Sequence, residues 1–175
     1  GASLKINSNN LSIVENLENA GSVDVGGTIT VGGDLVNTDT LKAGGTITVA
    51  GAAAIEGKVI SSGNQEYDGD VTLSGNAEFD AGSANVSFLG QVLGSGGSEN
   101  LVIDANIAEF SGNVSDIKNL IVRGTSLVKG NVSTSGDQSY EGLCTIGADV
   151  TFEAGTTGNP KTVVFGSAGM AQSVD

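Results

Sequence analysis

The segment GGTITVGGDLVNTDTLKAGGTITV, residues 26–49, begins and ends with the same six residues eighteen positions apart. Residues 16–33 align without gaps on residues 34–51, and nine of the eighteen positions are identical, Leu17/Leu35, Asn19/Asn37, Ile29/Ile47 and Val31/Val49 among them. A finer period lies inside this one. Leu11, Leu17, Val23, Ile29, Leu35, Leu41, Ile47, Ala53 and Val59 recur every six residues, and two positions after most of them comes Ile13, Asn19, Val25, Val31, Asn37, Ala43, Val49 or Ile55. Side chains separated by one residue share a face of a strand. From Leu17 onward the position four after the first of each hexad is a glycine, Gly21, Gly27, Gly33, Gly45, Gly51, Gly57, Gly63, Gly69 and Gly75, with Asp39 the exception. Glycine, and less readily Asp, accepts the positive φ of a tight corner. Each hexad therefore reads as a short strand plus a corner, and three hexads as one coil of triangular section.

The fold class that follows is all-β: a single-stranded parallel β-helix, or β-solenoid, of about 18 residues per coil. In-register pairing stacks like on like at about 4.8 Å. Residues 1–175 read as one solenoid domain of about eight or nine coils, a rod roughly 40 Å long at that spacing. A longer repeat carries the winding into the second half, where residues 49–82 align with residues 122–155 at an offset of 73, close to four coils. Gly51, Gly57, Gly63 and Gly69 return as Gly124, Gly130, Gly136 and Gly142, and Tyr67 and Phe79 as Tyr140 and Phe152. Between these blocks the register slips, and LGSGGSEN (93–100) and GTTGNPKT (155–162) read as loops bulging from a coil. IVENLENA (13–20) has the best helical pattern, but its eighteen-residue echo assigns it to a strand.

Inside such a rod Asn19 and Asn37, inward and one coil apart, are expected to start an amide ladder. Tyr67 and Tyr140 point inward, and the lone Cys144 serves as a small buried hydrophobe. Asp24 with Lys42, and Glu78 with Asp80, fall on outward faces where charges stack by construction.

The blocks SSGNQEYDGDVTL (61–73) and TSGDQSYEGLCTI (134–146) share the pattern T/S-x-G-x-Q-x-Y-x-G. That pattern resembles a recurring unit of large bacterial exoproteins of the filamentous haemagglutinin type, and residues 100–127 resemble the stretch that precedes it there. The resemblance spans residues 46–155 and implies a right-handed parallel β-helix, secreted or displayed at the cell surface, with roles in adhesion or in building an outer fibre. The chain is far smaller than those exoproteins and lacks their N-terminal secretion domain. GTITVAGAAAIEGKV (45–59) is more weakly similar to bactofilins, polymer-forming β-helices of the bacterial cytoskeleton. Left-handed hexapeptide helices share the eighteen-residue coil but favour Ser, Thr, Ala or Val where this chain has glycine.

Twenty acidic residues against seven basic ones give a net charge of -13, which disfavours nucleic acid and anionic membrane surfaces as partners. No apolar run approaches the length of a membrane span, so no membrane insertion is expected. The resemblance implies a chain that is extracellular or at the cell surface, with any secretion signal outside residues 1–175. Catalysis on a β-helix would need paired carboxylates, or carboxylates with a cation, under a roofed cleft. With no histidine, a single arginine (Arg123) and no long loop to roof a cleft, no enzyme is expected, nor any cofactor or metal. Thr28 with Thr30 and Thr46 with Thr48 form two Thr-x-Thr rungs that stop at Asn64 and Glu66. Asn10, Asn85, Asn113 and Asn131 sit in Asn-x-Ser sequons and are candidate glycosylation sites.

Two functional readings follow. A solenoid has sheet edges at both ends; SLKINSNNLSIV can begin a coil at once, and GMAQSVD is too short to fold over one. The first reading is a structural subunit or segment of an extracellular fibre or cell-surface layer, self-associating end to end. The alternative is an adhesin rod that binds a glycan or a surface protein through loops or a side face. Scarce aromatics and the absence of Trp favour the first.

Overall fold

The computed structural model describes residues 2–166 and 170–172. Among these residues there is no helix. Short strands follow one another around a prism and pair in parallel with their equivalents one coil before and after. One antiparallel hairpin, 155–156 against 159–160, is the exception.

Three columns of strands result. Face A runs through Leu11–Ile13, Ile29–Val31, Ile47–Val49, Gln65–Tyr67 and Asn85–Phe88, then 107–110, 125–128, Cys144–Ile146 and Met170–Gln172. Face B runs through Leu17–Asn19, Leu35–Asn37, 53–55, 71–73, Val92–Gly94, Val114–Ile117, Val132–Thr134 and 152–154, which makes eight coils. Face C begins at Ser3–Ile6 and passes through Ser22–Val25, Thr40–Ala43, 58–61, 77–80, 100–104, 119–123 and Gln138–Tyr140 to Val163–Phe165. The pattern is the β-solenoid that the hexads dictate, and 13–20 is strand and corner rather than helix.

The step between coils is 18 residues on face B from Leu17 to Val71, then 21 to Val92 and 22 to Val114. The 73-residue offset is therefore not close to four coils but three and two-thirds. Gln65–Tyr67 lies on face A, whereas Gln138–Tyr140 lies on face C. A three-sided prism offers equivalent faces, so the repeated unit keeps its packing while moving round by one side. Gln65 Nε2 donates to Val59 O and Asp80 O, and Gln65 Oε1 accepts the Tyr67 hydroxyl at 3.0 Å. Gln138 repeats this with Val132 O, Glu153 O and Tyr140. Tyr67 stacks on Phe88 and meets Phe79 edge-on, as Tyr140 stacks on Phe165 and meets Phe152 edge-on. Phe88 in turn stacks on Phe110, and one continuous apolar core runs along the axis.

The glycines have a different cause from the one expected. Of the series from Gly21 to Gly75 only Gly57 has positive φ. Gly33, Gly51, Gly69, Gly90, Gly112 and Gly130 instead stand above one another at the corner between faces A and B. A Cβ on any of the last five would lie under 3.0 Å from backbone of the glycine one coil earlier. Close approach of successive corners, not backbone handedness, excludes side chains there.

Asn19 Nδ2 donates to Asn37 Oδ1 at 2.7 Å, so the amide ladder forms, and it ends after two rungs because Ile55 occupies the next position. Cys144 is buried, and burial pushes its thiol pKa up, which leaves it a packing group. Lys42 pairs with Asp24 on face C at 3.9 Å, and Glu78 with Lys58 at 2.8 Å. Of GMAQSVD, only Met170–Gln172 is described, as a strand on Cys144–Ile146; the question of a cap there lies outside the described residues.

Candidate functional site

The corners that precede the strands carry Asn or Asp, and their side chains do structural work. Asn16 Oδ1 accepts the backbone N–H of Asp34, and Asp34 Oδ1 that of Ala52. In the same way the Oδ1 of Asp70 accepts the backbone N–H of Gln91, and the Oδ1 of Asn119 that of Asp137, each one coil later. These oxygens satisfy donors that the chain's change of direction would leave unpaired.

The four sequon asparagines sit in this scaffold. Asn10, Asn113 and Asn131 are exposed and accept the N–H groups of Thr28, Asn131 and Thr151, each at 2.9 Å. Asn85 is half-buried and accepts from Asn106 Nδ2 at 3.3 Å. Corner Asn, inward apolar residue, outward Ser is what the coil itself prescribes, and Asn-x-Ser follows from it. The four are spread along the rod and form no common site.

The regular winding breaks where two excursions leave the same corner, between faces B and C, in the fifth and eighth coils. The first begins after Gly94, since Leu93 still pairs with Thr72 and Ser115, and returns at Asn100. It folds around Glu99, a buried carboxylate. Glu99 accepts Gly96 N–H at 3.3 Å, Ser98 N–H at 3.0 Å and the Ser95 hydroxyl at 3.1 Å. Its own backbone N–H and these donors hold its carboxyl below the usual range against the opposing effect of burial. Beneath the loop Asp116 has φ 57 and lies at a bulge in face B, with its carbonyl turned toward Gly94.

The second excursion is the hairpin. Its return arm donates Lys161 N–H to Ala154 O at 3.0 Å. Thr162 then donates both its N–H (2.9 Å) and its hydroxyl (2.7 Å) to Asp137 Oδ1, one coil back. The Thr162 N–H and hydroxyl hold the Asp137 carboxyl low, with the charge of Lys161 adding to them and burial opposing.

Between the excursions lies a cleft of about 550 Å³. Its floor is the corners of the sixth and seventh coils, Lys118–Asn119 and 135–137; its walls are Gly97 and Ser98 on one side and Asn159 and Lys161 on the other. Ser135 Oγ donates to Gly97 O at 3.0 Å and ties the first loop down across the intervening coil. Beside Asn119 the cleft adjoins a smaller groove on face C, between the amides of Asn100 and Asn119 and the outward side chains of Val102 and Ile121. Each excursion is short, but both rise from one corner, and together they wall the cleft.

Chemically the cleft offers two ammonium groups, one carboxylate already engaged by Thr162, two hydroxyls and two amides. Among the described residues no three His, Cys, Asp or Glu side chains are grouped to hold a metal ion. The arrangement suits the holding of a polar ligand. None of its residues was singled out by the sequence; the only signal was the pair of interruptions in the hexads. Comparison with protein-family models, curated proteins and solved structures finds no match to this chain.

Proposed function

We propose that the protein is a non-catalytic rod in an extracellular fibre or cell-surface layer, a structural subunit or segment that extends by stacking through the ends of its solenoid. The observation that carries this reading is the edge of the first coil. Among the described residues Ser3–Ile6, Leu11–Ile13 and Leu17–Asn19 each pair on one side only, and Leu4, Ile6, Leu11, Ile13 and Leu17, whose equivalents one coil on are buried, are exposed or half-buried there. An open parallel edge above an unfinished core is a template for further coils, from another copy or from an adjoining stretch of the same rod. The resemblance of the Gln-x-Tyr-x-Gly units to haemagglutinin-type exoproteins supports the extracellular setting.

A second reading, an adhesin rod that binds a glycan or surface protein, is favoured by the walled cleft at 97–98, 118–119, 135–137 and 159–161. Electron microscopy of the purified protein, without refolding, separates the two. Fibres with an axial repeat near the length of one rod support the structural polymer. Isolated short rods at all concentrations sink it and leave the adhesin.

A further inference from the structure

Cations are scarce in this chain, seven against twenty carboxylates. Four of them are neutralised by a carboxylate of the neighbouring coil: Lys42 by Asp24, Lys58 by Glu78, Arg123 by Asp104 and Lys129 by Glu109. Lys118 and Lys161 make no ion pair of that kind among the described residues, and both line the one cleft walled by the two excursions. The carboxylate that shares the cleft, Asp137, has its Oδ1 taken up by Thr162. On a strongly acidic rod, two ammonium groups against the single carboxylate of Asp137 leave a net positive potential between protein walls at one place.

We infer that this cleft binds a linear glycan bearing carboxylates, a polyuronate, with its chain along the rod axis and its carboxylates on Lys118 and Lys161. The inference rests on the adhesin reading. The two lysines leave the corners of the sixth and eighth coils, about 10 Å apart along the axis at the sheet spacing. A single small anion would have to draw both side chains together, whereas a chain with a carboxylate on each sugar can meet both where they stand. A pyranose unit in an extended glycan is comparable in length to one coil, so successive sugars can meet successive corners. Ser98, Asn119, Ser135 and Asn159 supply hydroxyls and amides for the sugar hydroxyls. The adjoining groove over Val102 and Ile121 gives the chain an open exit along face C. An acidic peptide fits less well, because its extended repeat of about 3.3 Å per residue does not keep step with the coils.

The test is calorimetric titration of the intact protein with oligogalacturonate, its carboxyl-reduced neutral counterpart and an oligoglutamate peptide. Saturable binding of oligogalacturonate alone is expected, weakening as salt is raised. Lys118→Gln and Lys161→Gln should each weaken it roughly tenfold, the loss of one charge-assisted contact. Lys5→Gln, at the opposite end of the rod, should leave it unchanged. Both cleft lysines are exposed, so the variants keep the fold, and circular dichroism confirms that they do. Equal binding of the neutral oligosaccharide, preference for the peptide, or indifference to both lysine substitutions overturns the assignment. A parallel glycan array distinguishes the two levels: binding confined to neutral glycans overturns the polyuronate and keeps the adhesin, whereas no saturable binding to any glycan removes both.

Discussion

Gln65 and Gln138 explain why a polar residue recurs in a core that is otherwise apolar. Each amide bridges two coils through backbone carbonyls and receives the hydroxyl of the Tyr two residues on. Leu at position 65 would strand those carbonyls and the Tyr67 hydroxyl, at a cost of about 3 kcal/mol, while Tyr67→Phe removes one bond and costs about 1 kcal/mol. Because both changes break the same contact, the double variant should fall short of the sum by about 1 kcal/mol, measurable in a double-mutant cycle by denaturant titration. Burial raises the pKa of both Tyr67 and Tyr140. A raised folded-state pKa contributes stability that is complete below the unfolded value near 10 and is lost as pH climbs beyond it. Unfolding free energy should therefore drop above pH 10 by about 1.4 kcal/mol per pH unit for each tyrosine, and Tyr67→Phe should halve that slope. Glu99 has the opposite sign: its lowered pKa gives stability present above the unfolded value near 4.3 and lost as pH falls through the folded one. Glu99→Gln should flatten the acid limb of the stability profile. The sequence placed Tyr67 and Tyr140 inside, because they fall two residues after a hexad's first inward position. It did not reveal Glu99, whose donors come from a loop that has no period.

A glycine can be required at a corner for its φ or for the approach of the next coil, and here the two causes separate. Gly82 has φ +54 with nothing within 4 Å of a Cβ, whereas Gly69 has an ordinary φ but sits on the backbone of Gly51. Gly82→Ala should cost about 1 kcal/mol, the left-handed penalty alone. Gly69→Ala must push two corners apart and should cost about 3 kcal/mol, and Gly57→Ala, where φ +87 coincides with a contact on Asp39 O, more still. Chemical denaturation of the three variants checks the order; if Gly82→Ala proved the worst, coil spacing would not be what selects glycine. The hexads made strands, inward residues and corners legible in advance, because each depends on residues within one coil of each other. Which face a strand occupies depends on every residue inserted before it. The extra residues around 74–76, 81–84 and 95–99 each moved the later coils onward, so the second Gln-x-Tyr unit came to lie on face C. The same bookkeeping hid the cleft: 93–100 and 155–162 were visible as interruptions, but their common corner was not.

At the scale of the rod, the unpaired groups of the first coil determine whether it can propagate. In a parallel ladder a residue that bonds one neighbour through its N–H turns that group away from the other, and the next residue does the reverse. Leu11 N–H is donated to Thr28 O and Leu17 N–H to Asp34 O, both into the rod. The N–H groups of Ser12 and Glu18 therefore point out of the first coil, toward whatever stacks there. In amide hydrogen exchange Leu11 and Leu17 should be protected at every concentration, and Ser12 and Glu18 only as the protein assembles. Ser12→Pro removes the outward donor while leaving the inward bonds of Leu11 and Ile13 in place, and an edge strand tolerates proline. The variant should keep the thermal midpoint of the isolated rod within a few degrees and yet form no fibres. Fibres of unchanged length from Ser12→Pro, with Ser12 and Glu18 still exchanging freely in the wild type, would mean that assembly runs through a side face. The outward column of Asp24, Lys42, Ile60, Asp80, Asp104 and Arg123 on face C, charged at every level but Ile60, would then be the surface to reverse.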